Sequence, residues 1–114
     1  MKRAYILSTC NTCQRILKEI DWPYEVQDVK EKHVDAKTLD HMKKAIGSYE
    51  GLFNKRAMKY RSQGLNELDL TEKEFRSHIL KEYTFLKRPV FILDDRVFAG
   101  NAKKTVASVL EALS

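Results

Sequence analysis

A chain of 114 residues, 43% apolar and 32% charged, has the composition of an ordinary folded domain and too little length for two independent cores. Its 21 basic and 16 acidic residues leave a net charge of +5, an excess that suits an anionic substrate or an acidic partner and does not by itself specify nucleic acid. The longest apolar run is four residues, as in Val90 to Leu93, which excludes a membrane-spanning helix; Ala4 to Leu7 is too short for a secretory core segment, so a cytoplasmic location is expected.

Lys2 to Leu7 reads as a first strand, with Tyr5, Ile6 and Leu7 supplying strand-forming side chains. Cys10-Asn11-Thr12-Cys13 follows at once. Cys13, Ile16, Leu17 and Ile20 then recur at the spacing of one helix face. The cysteine pair therefore falls where a strand ends and a helix begins, and Trp22-Pro23 closes that helix. Tyr24 to Val29 alternates as a second strand. From Asp35, Leu39, Met42 and Ile46 mark a helix face that Gly47 stops. Residues 51–63 are expected to form a short helix or turn carrying Lys55, Arg56, Lys59 and Arg61. Thr71-Glu72-Lys73-Glu74 is a capping box that opens a helix to about Tyr83, with Phe75 and Ile79 on its buried face. Val90 to Leu93 is an apolar strand after Pro89. Asp94-Asp95 is a turn, and Arg96 to Ala99 returns antiparallel. Asn101 is expected to cap a last helix with the stripe Val106, Val109, Leu110 and Leu113.

The order βαβ, a helical middle, then ββα predicts an α/β fold of the thioredoxin-like plan. Its mixed four-stranded sheet would carry a helical subdomain inserted at about residues 33–84, and residues 1–114 would form one domain.

The two cysteines are too few and too close for a structural disulfide framework. A zinc site needs two more ligands, and His33, His41 and His78 show no close pairing; no metal or bound cofactor is expected. A thiol becomes a nucleophile as thiolate, and unpaired N–H groups at a helix N-terminus favour that anion. Cys10, at the N-cap-like position, would be the nucleophile. Cys13, one turn later, would resolve a mixed disulfide. The bland alternative is two unrelated thiols, with Cys13 simply part of the core stripe. Arg88-Pro89 at the mouth of an apolar strand suggests a cis-proline loop facing the reactive cysteine, which would bring Arg88 beside an anion or thiolate. The alternative there is a solvated basic pair. The basic cluster around residues 55–61 reads first as an exposed charged face.

Three segments in order, Tyr-Ile-Leu-Ser-Thr-Cys-Asn-Thr-Cys-Gln-Arg, Leu-Phe-Asn-Lys-Arg-Ala-Met-Lys-Tyr-Arg, and Leu-Lys-Arg-Pro-Val with Ala-Gly-Asn, make the chain resemble the arsenate reductase-like family that also contains the Spx transcription regulators. The resemblance runs over essentially the whole chain. It implies a thioredoxin-like fold with a helical insertion and a catalytic cysteine at Cys10. It also implies substrate binding by Arg56, which matches the middle-segment arginine, and by Arg88, which precedes the cis-proline. Asn11, Thr12 and Pro89 complete the expected substrate-binding set.

In members that reduce arsenate, the cysteine attacks arsenic and a second thiol completes the reduction. Glutathione with glutaredoxin, or thioredoxin, would be the electron donor. The chain departs from that pattern in four places. The third arginine expected after the hairpin is missing from Phe98-Ala99-Gly100-Asn101. The proline two residues before the nucleophile is Ser8, the glycine after the middle arginine is Ala57, and Cys13 is gained. A thiol–disulfide oxidoreductase with weak or absent arsenate activity is the expectation, with a small thiol or redox protein as partner. The alternative is an Spx-like redox-sensing regulator that binds RNA polymerase without direct contact to nucleic acid.

Overall fold

The computed structural model describes all of residues 1–114. Its strands are β1 (Lys2–Ile6), β2 (Glu25–Asp28), β3 (Val90–Leu93) and β4 (Arg96–Ala99), and its helices are α1 (Asn11–Glu19), α2 (Ala36–Ile46), α3 (Met58–Ser62), α4 (Glu72–Lys81) and α5 (Lys103–Leu113). Three short 3₁₀ turns, Glu50–Leu52, Leu65–Glu67 and Tyr83–Phe85, lie among the middle helices. The chain divides into two compact units, one formed by Met1–His33 with Arg88–Ser114 and the other by Val34–Lys87.

The first unit holds the sheet, in the order β2-β1-β3-β4. β1 pairs parallel with β2 and antiparallel with β3, and β3 pairs antiparallel with β4, so the sheet is mixed and the fold is α/β as expected. β3 is buried along its whole length, which is why Val90 to Leu93 reads as an unbroken apolar run rather than an alternation. β2 is an edge strand, and it alternates weakly because Glu25 and Val26 both face solvent.

Ala4, Ile6 and Phe91 of the sheet pack with Cys13, Ile16 and Ile20 of α1 and Val106 and Val109 of α5. Trp22 joins this core from beyond α1. Its ring lies 5.0 Å from that of Phe91, and its indole N–H donates to the Glu25 carbonyl. The helix ends before Trp22-Pro23, with Asp21 in the left-handed region at φ 50°.

Two expectations for α5 need correction. Asn101 does not cap it; Ala102 occupies the N-cap and no side chain closes a capping bond. Ala102 adopts the extended conformation (φ −62°, ψ 143°) that an N-cap requires; the backbone thus starts the helix one residue later than the side-chain chemistry suggested. Leu110 is exposed, because the face buried against the sheet narrows to Val106 and Val109.

The second unit is built on an aromatic cluster. The buried Phe53 ring stacks on Phe85 at 4.9 Å and meets Phe75 edge-on at 5.0 Å and Tyr60 at 5.3 Å. The segments around Phe53 and Leu86 form an isolated antiparallel bridge, flanked by bonds from the Asn54 N–H to the Phe85 carbonyl and from the Lys87 N–H to the Leu52 carbonyl. α2 opens on Asp35, whose carboxylate accepts the Thr38 N–H at 2.7 Å, and closes on Gly47 at φ 109°, a conformation that favours glycine. The capping box of α4 is complete: the Glu74 N–H donates to the Thr71 hydroxyl and the Thr71 N–H to the Glu74 carboxylate.

Candidate active site

The site is built where β1 runs into α1. A turn closed by the Cys10 N–H donating to the Leu7 carbonyl at 2.9 Å carries the chain out of the sheet, with Ser8 and Thr9 exposed at its tip. Cys10 then occupies the N-cap of α1 in extended conformation (φ −86°, ψ 111°). An oxygen-bearing side chain at an N-cap would accept a bond from the first turn. The Cys10 thiol closes no such bond of ordinary geometry, and α1 has no acidic residue in its first turn. The open N–H groups are therefore left for an anion.

Burial pushes the Cys10 thiol up, but opposing groups outweigh it. The N–H and thiol of Cys13, the N–H of Thr12 and the Arg88 guanidinium together bring its pKa below the ordinary thiol value. Cys13 behaves oppositely. Burial holds it up, to about 11, with a further rise from the neighbouring Cys10, although a Leu7 backbone bond and the Arg88 charge pull the other way. The two cysteines approach to 3.5 Å, and both are free thiols. Cys10 is half-buried while Cys13 has no solvent exposure. Only Cys10 can meet a substrate first.

Arg88 comes from the loop before β3, and the Arg88–Pro89 peptide is cis, as the sequence suggested. Pro89 is buried, and its carbonyl accepts the Gly100 N–H at 2.9 Å. The Arg88 side chain is partly buried, and its Nη1 is fully enclosed with no hydrogen-bond partner. A buried guanidinium nitrogen without an acceptor is costly and is normally satisfied. Its charge acts on both thiols. Asn11 is exposed at the first position of α1, and Thr12 is half-buried behind it.

The structure thus brings Cys10, Cys13, Thr12 and Arg88 together and sets Asn11 and Pro89 beside them in the chain. Arg56 belongs to the other unit, where its side chain is exposed just before α3 and its N–H donates to the Asn54 side chain at 3.1 Å.

Sequence reasoning named Ser8 only as a departure from the family's proline and did not single out Gln14 or Asp28. Asp28 ends β2, accepts both the hydroxyl and the N–H of Ser8, and takes the Lys30 N–H at 2.9 Å. Gln14 donates its amide to the Ser8 carbonyl at 3.2 Å. No local pattern announces these bonds, since Ser8 and Asp28 are twenty residues apart and meet only through strand pairing.

The model of the ArsC family matches residues 5–109. The chain belongs to the ArsC family. Solved structures agree with the fold that this membership implies. The chain resembles the YFFB (PA3664) protein with a TM-score of 0.80 at 23% identity, covering 96% of this chain and 99% of that one. It resembles an arsenate reductase from Vibrio cholerae with a TM-score of 0.79 at 13% identity, covering 96% and 95%. A possible arsenate reductase from Streptococcus mutans matches with a TM-score of 0.73 at 22% identity over 90% and 92%. A search of curated protein sequences finds no match. ArsC membership and the thioredoxin-like fold identify a thiol-dependent redox protein in general terms. No helix is long and apolar enough to cross a membrane.

Proposed function

We propose that the protein is a thiol–disulfide oxidoreductase in which Cys10 attacks and Cys13 resolves. The observation that carries this reading is the 3.5 Å approach of two free thiols of which only Cys10 is reachable from solvent. The Cys10 thiolate attacks one sulfur of a substrate disulfide, forms a mixed disulfide and expels the other sulfur as a thiolate. Cys13 then loses its proton and attacks the Cys10 sulfur. This closes the Cys10–Cys13 disulfide and releases the second substrate thiol. Two electrons and two protons pass from the protein dithiol to the substrate disulfide, which leaves as two thiols. A small thiol such as glutathione, with glutaredoxin, or thioredoxin restores the protein dithiol.

The Arg88 guanidinium, whose charge acts on both thiols and which is only partly buried, favours a substrate that carries an anionic group near its sulfur, such as the carboxylates of a glutathione mixed disulfide. Asn11, Thr12 and Pro89 would line that position. Arg56 stays a candidate for substrate binding on its own unit. A cytoplasmic location, where such donors are reduced, fits the reading.

The decisive experiment exposes the Cys13→Ser variant to a glutathionylated peptide and weighs the intact protein. A single adduct on Cys10, with multiple turnover by the wild type in the presence of a thiol donor, supports the enzyme. Adduct formation without turnover, together with retention of RNA polymerase by the oxidised protein, would turn the assignment to a redox-sensing regulator.

A further inference from the structure

We propose that Asp28 is a positioning residue for Cys10, acting through Ser8 to hold the turn that sets the nucleophile at the head of α1. The proposal rests on the assignment of Cys10 as nucleophile.

The Leu7–Cys10 turn has little else to fix it. Ser8 and Thr9 are exposed, so packing does not order them. Three atoms of Ser8 are nevertheless tied down. Its hydroxyl and its N–H both donate to Asp28 Oδ2, the latter at 3.4 Å, and its carbonyl accepts from Gln14 Nε2. Asp28 is itself anchored, because its Oδ1 takes the Lys30 N–H and its backbone lies opposite Ile6 in the parallel β1–β2 register. The Val29 N–H closes the same junction on the Ile6 carbonyl at 2.9 Å. Gln14 sits on α1, one residue past Cys13. Ser8 is thereby fastened to β2 through Asp28 and to α1 through Gln14, two residues before Cys10.

Burial weighs most on the Cys10 thiol and raises it; the groups that oppose burial are Cys13, Thr12 and Arg88. Asp28 acts at one remove, through the backbone. Bonds to an ionised acceptor are the stronger kind, and the Ser8 hydroxyl keeps the Asp28 carboxyl below its ordinary range. Releasing Ser8 lets the turn drift, and the N–H groups of Thr12 and Cys13 then no longer converge on one sulfur position.

The test compares wild type with Asp28→Asn, Ser8→Ala and Ser8→Thr, each as the full chain. The readouts are the Cys10 alkylation rate against pH, followed by peptide mass, and the thermal midpoint. Asp28→Asn and Ser8→Ala should raise the Cys10 titration midpoint and slow its alkylation at neutral pH by about three- to tenfold, where tenfold corresponds to one pKa unit. Ser8→Thr keeps the hydroxyl and should restore the rate to within about twofold. An unchanged Cys10 midpoint in both disruptive variants overturns the proposal, even if their thermal midpoints fall. So does a Ser8→Thr protein as slow as Ser8→Ala. Because alkylation needs no substrate, absence of wild-type turnover would overturn the oxidoreductase reading without touching these midpoints. Should Asp28→Asn fail to fold, the Ser8→Ala and Ser8→Thr pair decides alone.

Discussion

The guanidinium of Arg88 pulls the thiols of both Cys10 and Cys13 toward ionisation, while its own Nη1 is buried with no hydrogen-bond partner. The same group is placed for two tasks: favouring the thiolate before substrate arrives, and pairing through its accessible part with an anionic group of the substrate afterward. Arg88→Gln keeps much of the volume and removes the charge. It should raise the Cys10 alkylation midpoint and weaken a charged substrate more than a neutral one. Comparing glutathione disulfide with an uncharged dithio compound would show this as a larger rise in KM for the former. An equal loss for both would assign Arg88 to the thiolate alone.

Cys10 and Cys13 should titrate apart. Since Cys10 is lowered and Cys13 is raised to about 11, iodoacetamide at neutral pH should modify Cys10 first and leave Cys13 almost untouched. The single variants refine the sign. In Cys10→Ser, the contribution of the Cys10 thiolate disappears, so Cys13 should titrate lower than in the wild type yet stay above the ordinary thiol range, because burial is the larger cause. In Cys13→Ala, Cys10 loses a hydrogen-bond donor and should titrate higher. Rates against pH by mass spectrometry distinguish all three.

In the second unit, Asp40 of α2 accepts Nε and Nη2 of Arg76 of α4 at 2.8 and 3.1 Å and the Tyr49 hydroxyl at 2.6 Å. These bonds, the Arg76 one first, lower its carboxyl from 3.8 to about 2. A depressed carboxyl stabilises the fold above its unfolded value and loses that contribution as pH falls through the folded one. The stabilising effect of Asp40 should therefore be complete above about pH 4 and disappear toward pH 2. Asp40→Asn should melt below wild type at pH 6, and the two melting curves should converge near pH 2. The pair lies at the surface, so salt should narrow the pH 6 difference. Parallel curves at both pH values would rule out the linkage.

What the sequence made legible was what local chemistry encodes. The capping box at Thr71 and Glu74, the Gly47 stop, the Asp35 start and the apolar run of β3 each need only neighbours a few residues away. The placement of Cys10 and Cys13 at a strand–helix junction was legible too, because the end of a strand and the start of a helix are themselves local. Long-range satisfaction was hidden. Glu72, read only as part of the α4 capping box, also accepts the N–H groups of Tyr49 and Glu50 at 2.7 and 3.1 Å, across more than twenty residues. The Ser8–Asp28 bond depends on strand pairing in the same way. Asn101 failed as a cap because residue type sets a preference and the backbone sets the place. Leu110 failed because a helix face is only as wide as the surface it meets.

A multiply charged oxyanion held away from water needs several charge-assisted donors, each worth roughly 1.5–3 kcal/mol. In the sheet unit, Arg88 is one. The segment after the hairpin that would supply another, Phe98-Ala99-Gly100-Asn101, holds no arginine, and its Gly100 lies at φ 99° with its N–H committed to the Pro89 carbonyl. Arg96 does not replace it. Arg96 pairs with Leu93, and Leu93 pairs with Lys2, so it lies at the start of β1, whereas Cys10 follows the end of that strand. Four residues of strand separate the two ends, roughly 13 Å at about 3.3 Å each. Of the cationic residues in the middle segment, Lys55 and Lys59 are held in ion pairs with Glu50 and Glu82. Loss of one preorganised donor commonly costs on the order of a hundredfold in rate. Disulfide exchange needs a thiolate and a resolving thiol, not an oxyanion cradle. At matched donor concentration the protein should therefore reduce a glutathione mixed disulfide faster than arsenate. Introducing an arginine at the neighbouring Asn101, which is exposed, should narrow that ratio without altering disulfide turnover. Comparable wild-type turnover of the two substrates, abolished by Arg88→Gln, would show that fewer cationic donors suffice.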